Sequence, residues 1–84
     1  MNVEVRFFAS LREAVGTGSL RLLLPDGAGF EVLMAALEQR LGAAAVAALK
    51  QENVSLARNQ DLVTRPLELS DGDQLAFLPP VTGG

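Results

Sequence analysis

Residues 30–41, FEVLMAALEQRL, decide the fold of this 84-residue chain. Their apolar side chains recur three or four positions apart, a spacing that places them along one side of an α-helix. This apolar stripe consists of Phe30, Leu33, Met34, Leu37 and Leu41. Gly42 follows directly, and a glycine at that point favours the end of a helix. We therefore predict one main amphipathic helix over residues 30–41, with the stripe in the core.

Two segments before this helix alternate between apolar and other residues. A period of two is typical of strands that bury one face. The inward residues are predicted to be Val3, Val5 and Phe7 in the first strand and Leu20, Leu22 and Leu24 in the second. The same alternation leaves Phe8 on the opposite face of the first strand.

A short helical turn is predicted between these two strands. Residues 10–13, SLRE, have the spacing of a capping box, in which the Ser10 hydroxyl accepts a hydrogen bond from the Glu13 amide. Gly16 stands where a glycine commonly ends a helix. We therefore predict helical residues over 11–15, with Ser10 as the N-cap.

The segments after the main helix predict a second helix and three further strands. Residues 43–49, AAAVAAL, are rich in alanine and favour a helix. Strands are predicted at 54–58, 62–63 and 74–78, and turns at 59–61 and 71–73. Pro79-Pro80 ends the last strand, because proline cannot donate to a strand ladder. Asp71 and Asp73 are interpreted as turn residues rather than as a catalytic carboxylate pair.

The order of these elements predicts an α+β domain. One main helix must cover one face of a small mixed sheet, because the helix and the sheet each have an apolar side to bury. The last strand is expected to pair in the middle of the sheet. This order suits a β-grasp, or ubiquitin-like, fold over residues 1–78, followed by a flexible extended tail over residues 79–84.

The composition excludes several classes of chemistry. Cysteine and histidine are absent, which excludes disulfides, thiolate metal sites and Ser-His-Asp catalysis. The net charge of −3, without a cluster of Lys or Arg, argues against nucleic-acid binding. No apolar run approaches the ~20 residues of a membrane span, and no signal peptide is apparent, so we expect a cytoplasmic protein. We expect a subunit, carrier or binder rather than a stand-alone enzyme, without bound metal or cofactor.

The tail, Pro79-Pro80-Val81-Thr82-Gly83-Gly84, ends in a carboxylate. A carboxylate is a poor electrophile, but converting it to an adenylate supplies a good leaving group. A sulfur nucleophile could then displace AMP and leave a thiocarboxylate. The terminal glycines lack a Cβ and fit a narrow channel, and the prolines favour an extended start. We predict that the tail inserts into another protein, with Gly84 as the reactive residue.

An apolar patch is predicted close to the start of this tail. Leu78 has the parity opposite to the inward Leu75 and Phe77, so it is expected to face outward near Phe8. Leu62 is expected to join them from the neighbouring turn. Exposed apolar patches tend to mark partner surfaces, so these residues are candidates for an interface. The competing interpretation, in which the strand ends bend and the side chains pack inward, stays open.

Three stretches resemble one known family: FFASLRE at residues 7–13, DGD at 71–73 and FLPPVTGG at 77–84. They are similar to the small subunits of molybdopterin synthase, the MoaD family of ubiquitin-like sulfur carriers. The resemblance implies that an E1-like adenylyltransferase uses ATP to adenylate Gly84, and that a sulfur-donating enzyme completes the thiocarboxylate. It also implies that the tail enters the large synthase subunit, where sulfur passes to cyclic pyranopterin monophosphate. The family has apolar partner contacts at positions matching Phe8, Leu62 and Leu78.

Three alternative functions stay open at this point. A related carrier could supply sulfur for thiamine synthesis or for tRNA thiolation. A ubiquitin-like protein modifier would instead be attached through Gly84 to lysines of other proteins. The least specific alternative is a β-grasp binding module whose tail has no role, and only in that case would deletion of Gly84 be harmless.

Overall fold

The computed structural model describes residues 1–64 and 66–80, and within them it contains five strands and three helices. In chain order they are β1 (Asn2–Phe7), α1 (Ser10–Val15), β2 (Ser19–Leu23), α2 (Phe30–Leu41), α3 (Ala43–Leu49), β3 (Ser55–Arg58), β4 (Asp61–Leu62) and β5 (Gln74–Leu78). The predicted bounds of the main helix, the alanine-rich helix and the last strand are confirmed. The predicted tail residues Val81, Thr82, Gly83 and Gly84 lie outside the described residues.

The strands form one mixed sheet in the order β2-β1-β5-β3-β4. β1 and β5 pair in parallel at its centre, with Val5 opposite Leu75 and Phe7 opposite Phe77. The pairs β1–β2, β3–β5 and β3–β4 are antiparallel. The predicted central place of the last strand is therefore confirmed. Parallel neighbours require a crossover connection, and the chain between β1 and β5 includes α2.

The core lies between the inner face of the sheet and the helices. The two central strands and α2 contribute its most deeply buried side chains, which are Val3, Val5, Phe7, Leu33, Leu37, Leu75 and Phe77. The rings of Phe7 and Phe77 stack with their centroids 5.8 Å apart and their planes 11° from parallel. Burying a large apolar side chain contributes about 1.5–3 kcal/mol, so this layer supplies much of the stability of a small domain.

Phe30, which the helical stripe places in the core, is 38% exposed instead. It is the first residue of α2, and there it lines an open groove of about 450 Å³ with Leu56 and Leu67. Leu33 and Met34, one turn further along, are buried. The periodicity identifies the side of the helix that faces the sheet. It does not show how far the sheet extends along the helix, so it could not place Phe30 at the edge of the core.

The predicted capping box at Ser10 and Glu13 is wrong. Ser10 is already helical, so the N-cap is Ala9, and no side-chain hydrogen bond caps the helix. The backbone supplies acceptors instead: the amide of Leu11 donates to the carbonyl of Phe8 at 3.0 Å. The start of the helix is therefore closed by main-chain bonds. Gly16 ends α1 as predicted, in the left-handed conformation with φ 87°.

A polar network joins the start of β5 to the β3–β4 turn. The buried Asp73 carboxylate accepts a hydrogen bond from the Ser70 amide at 2.8 Å and another from Asn59 Nδ2 at 3.0 Å. It also pairs with Arg58 Nε at 2.8 Å. Burial alone raises the pKa of Asp73, but these hydrogen bonds and the Arg58 charge outweigh it and lower the pKa. The interpretation of Asp71 and Asp73 as turn residues agrees with this network.

Candidate functional site

The face of the sheet opposite the helices, here called the outer face, carries apolar side chains on β3, β4 and β5. The register places Leu78 opposite Ser55 and Ala76 opposite Ala57 across the β3–β5 pair. Ala57 is in turn opposite Leu62 across the β3–β4 pair. Because residues opposite each other share a face, Ala76, Ala57 and Leu62 form a row across three strands.

The outer face forms an open groove of about 890 Å³ near the end of β5, here called the outer groove. Its lining consists of Phe8, Ala9, Glu52, Asn53, Ser55, Leu62, Leu78, Pro79 and Pro80. Phe8 is 41% exposed and Leu62 is 62% exposed, whereas Leu78 is half-buried. The structure therefore brings the three predicted interface residues to one groove, and inward packing of Phe8 is wrong. Their contact with a partner stays a prediction.

The predicted tail begins in the wall of the outer groove. Pro79 is half-buried and Pro80 is exposed, and both line the groove. A partner that covers the groove would therefore contact the residues that lead into the tail. The predicted reactive residue Gly84 and the predicted insertion residues Val81, Thr82 and Gly83 follow, outside the described part of the chain.

The wall of the outer groove also contains a strained residue that the sequence does not mark. Ala9 has φ 49° and ψ −128°, and the Leu11 amide closes the turn over residues 8–11 by donating to the Phe8 carbonyl. These angles belong to the first central residue of a type II′ turn, a position that glycine usually occupies. A non-glycine residue in such a conformation costs of order 1–3 kcal/mol. Alanine has no turn preference of its own, so no local signal marks the position.

The outer groove is mainly apolar in character. Of the described residues that line it, only Glu52 carries a charge. Within residues 1–64 and 66–80, no group of three or more His, Cys, Asp or Glu side chains could hold a metal ion. The described helices include none that is long and apolar enough to cross a membrane. The outer groove is therefore an apolar surface beside the two prolines that lead into the tail.

Fold and site together define a class of protein. The first and last strands run parallel at the centre of a mixed sheet, and helices cover one face of that sheet. The other face bears an apolar groove where the last strand ends. This is the architecture of a ubiquitin-like β-grasp domain, and the predicted fold is confirmed.

Comparison with known proteins identifies the family. The model of the ThiS family matches residues 5–84. The molybdopterin synthase sulfur carrier subunit of Escherichia coli (strain K12) is 40% identical over 84 residues, covering 98% of this chain and 99% of the relative. The chain therefore belongs to the ThiS family, and its relatives there include molybdopterin synthase sulfur carrier subunits.

Solved structures that share the fold over almost the whole chain include the following two. The small archaeal modifier protein 1 of Methanosarcina acetivorans matches with a TM-score of 0.72 and 28% identity, covering 99% of this chain and 96% of that one. A chain from the complex of subunits 1 and 2 of the molybdopterin-converting factor of Helicobacter pylori 26695 matches with a TM-score of 0.71. That chain is 28% identical, and the match covers 100% of both chains. These likenesses agree with the predicted family resemblance.

Proposed function

We propose that this chain is the sulfur carrier subunit of a molybdopterin synthase. The observation that carries the proposal is the 40% identity, over nearly the full length of both chains, with the carrier subunit of Escherichia coli. The apolar groove beside the exit of the tail supports the same function. The chain acts as a non-catalytic subunit of a sulfurtransferase complex, and we propose the cytoplasm as its compartment.

The chemistry in this proposal takes place at the carboxylate of Gly84. An E1-like adenylyltransferase transfers AMP from ATP to the carboxylate and releases pyrophosphate. Sulfide-level sulfur from a sulfur-donating enzyme then attacks the carbonyl carbon of Gly84, breaks its bond to the AMP oxygen and leaves a thiocarboxylate, with AMP as the leaving group. The thiocarboxylate sulfur bonds to cyclic pyranopterin monophosphate during molybdenum cofactor synthesis, and water then cleaves the bond between that sulfur and the carbonyl carbon of Gly84, which restores the Gly84 carboxylate. The chain needs no bound cofactor for these steps, because the activating enzyme binds the ATP.

The large synthase subunit covers the outer groove in this proposal. Phe8, Leu62 and Leu78 supply the apolar centre of the contact, which is where binding energy is usually concentrated. Residues 1–78 act as a rigid domain and residues 79–84 as the inserted tail, whose terminal glycines fit a narrow channel. The Helicobacter pylori complex of subunits 1 and 2 supports such a partner.

The first test concerns the chemistry at Gly84. We expect the C-terminal peptide, purified from the native cells, to contain sulfur in place of one carboxylate oxygen when its mass is measured. A chain lacking Gly84 is expected to melt like the wild type and to support no product formation in a reconstituted synthase. Undiminished activity of the shortened chain would contradict the proposal.

The second test concerns the contact surface. Leu78→Asp places a charge in the outer groove, and we expect its affinity for the large subunit to fall by at least about tenfold. Leu23→Asp is the matched control, because Leu23 is 78% exposed and lies outside the outer groove. Its affinity is expected to equal that of the wild type by calorimetry. Equal affinities for both variants would show that the groove does not bind the large subunit.

A protein modifier is the second candidate, because the chain resembles the small archaeal modifier protein 1 of Methanosarcina acetivorans. In that function the activated Gly84 forms an isopeptide bond with lysines of other proteins. Proteomic analysis of the native cells distinguishes the two functions. Branches that match Thr82-Gly83-Gly84 on other proteins, without thiolated Gly84, would favour the modifier.

A further inference from the structure

We infer that Ala9 is a positioning residue for partner binding. Its strained turn holds Phe8 and the wall of the outer groove in one geometry, and the same strain lowers the stability of the free domain. The inference deepens the proposed function and rests on it, because the partner is the large subunit of the synthase.

The strain at Ala9 is confined to a single turn. Ala9 occupies the first central position of the turn over residues 8–11, with φ 49° and ψ −128°. Glycine adopts such angles without a steric cost because it lacks the Cβ that clashes with the backbone. A sequence optimised only for the stability of the free domain would therefore carry glycine at this position.

The methyl group of Ala9 gains little from the fold of the free domain. Ala9 is exposed, and it is not a member of the buried core cluster. Its surroundings are instead the wall of the outer groove, together with Phe8, Leu78 and Pro79. The strain is therefore not offset by burial in the free domain, and a bound partner can supply the missing contacts.

Hydrogen bonds at both backbone groups of Phe8 fix its position directly before Ala9. The Phe8 amide donates to the carbonyl of Phe77 at 3.2 Å, and the Phe8 carbonyl accepts from the Leu11 amide at 3.0 Å. Both backbone groups of Phe8 are thus engaged, and the turn at Ala9 determines how the chain leaves it. The turn thus sets where Phe8 and the Ala9 methyl group stand in the groove wall, and glycine would remove the contact that this methyl group offers to a docked partner.

Ala9→Gly tests the inference, with Gln60→Gly as the matched control. Gln60 is also a non-glycine residue with positive φ, at 76°, but it lies in the β3–β4 turn and outside the outer groove. Both variants relieve backbone strain, so each is expected to raise the melting temperature by about 2–6 °C. Only Ala9→Gly is expected to weaken binding of the large subunit, by about threefold to tenfold in calorimetry.

The combination of a higher melting temperature and a weaker affinity is the signature that a purely structural role would not produce. Unchanged affinity of Ala9→Gly, or a melting temperature that does not rise, overturns the inference. Leu78→Asp belongs in the same series. If the wild type binds and Leu78→Asp does not, the proposed function stands whatever Ala9→Gly does. If the wild type fails to bind the large subunit, the proposed function fails and the inference fails with it.

Discussion

Phe7 and Phe8 are neighbours in the sequence and have the same side chain, yet their surroundings are opposite. Phe7 is 1% exposed and stacks on Phe77 in the core, whereas Phe8 is 41% exposed and lines the outer groove. The pleat of β1 causes the difference, because successive side chains point to opposite faces of a sheet. One sheet therefore buries the apolar side chains of its inner face for stability and leaves apolar side chains of its outer face open to solvent.

Removing the buried ring of Phe7 is expected to have the largest effect on stability. Phe7→Ala leaves a cavity against Phe77 and is expected to lower the free energy of unfolding by about 3–5 kcal/mol. Small domains have only about 5–15 kcal/mol in total, so the variant is close to unfolding. Urea denaturation followed by circular dichroism measures the loss. A loss below about 1 kcal/mol would contradict the assignment of stability to the inner face.

The second-largest effect on stability is expected at the polar network of Asp73, at the start of β5. Asp73→Asn removes the charge that pairs with Arg58 and is expected to lower the free energy of unfolding at neutral pH by about 1–3 kcal/mol. The pKa of Asp73 is lowered in the folded state. Its contribution is therefore present above the unfolded pKa of about 3.9, and it is lost as the pH falls through the folded pKa.

Denaturation at several pH values tests whether the stabilising contribution of Asp73 is lost in acid. The difference in stability between the wild type and Asp73→Asn should be constant near neutral pH and should shrink in acid, below about pH 4. A difference that grows as the pH falls would contradict the lowered pKa. Partner affinity is expected to stay unchanged at neutral pH, because Asp73 lies outside the outer groove.

Removing the outer ring sharpens the comparison between the two phenylalanines. Phe8→Ala is expected to change the free energy of unfolding by less than about 1 kcal/mol, because its ring is partly in water already. Its affinity for the large subunit should nevertheless fall by about tenfold or more. Denaturation and calorimetry on the same preparation measure both quantities. If Phe8→Ala destabilised the domain as much as Phe7→Ala, the outer face would contribute to stability as much as the inner face, contrary to this comparison.

The smallest effect is expected on the outer face away from the groove. Leu23, on the edge strand β2, is 78% exposed. Leu23→Asp is expected to change the free energy of unfolding by no more than about 0.5 kcal/mol. Its affinity for the large subunit should equal that of the wild type. A large loss of affinity would show that the partner surface also includes β2, beyond the outer groove.

Local patterns predicted much of the fold. The spacing of Leu33, Met34 and Leu37 predicted α2 with its bounds, and the alternation of Val3, Val5 and Phe7 predicted the inner face of β1. Several local predictions failed at element ends. The short strand predicted at 62–63 is Asp61–Leu62 instead, so Asp61 belongs to a strand rather than to the predicted turn. Ser10 lies inside α1 rather than at its cap, and Phe30 lies at the rim of the core. Element ends depend on neighbouring layers and on backbone bonds, which periodicity does not contain.

The candidate site was likewise predicted only in part from the sequence. The parity of β1 and β5 predicted that Phe8 and Leu78 face outward, and the resemblance to a family predicted their role. That role stays a prediction, as does the chemistry at Gly84. Ala9 carried no signal, because its strain arises from a turn closed between Phe8 and Leu11.

The sequence by itself determined most of the elements and the alternation of inner and outer side chains along the strands, because these depend on spacing within a few residues. Only the tertiary structure decided that Phe8, Leu62 and Leu78 share one groove. They come from the end of β1, from β4 and from β5, which are distant in the chain. Strand order and register brought them together, and both are set by packing of the whole sheet against the helices rather than by any local pattern.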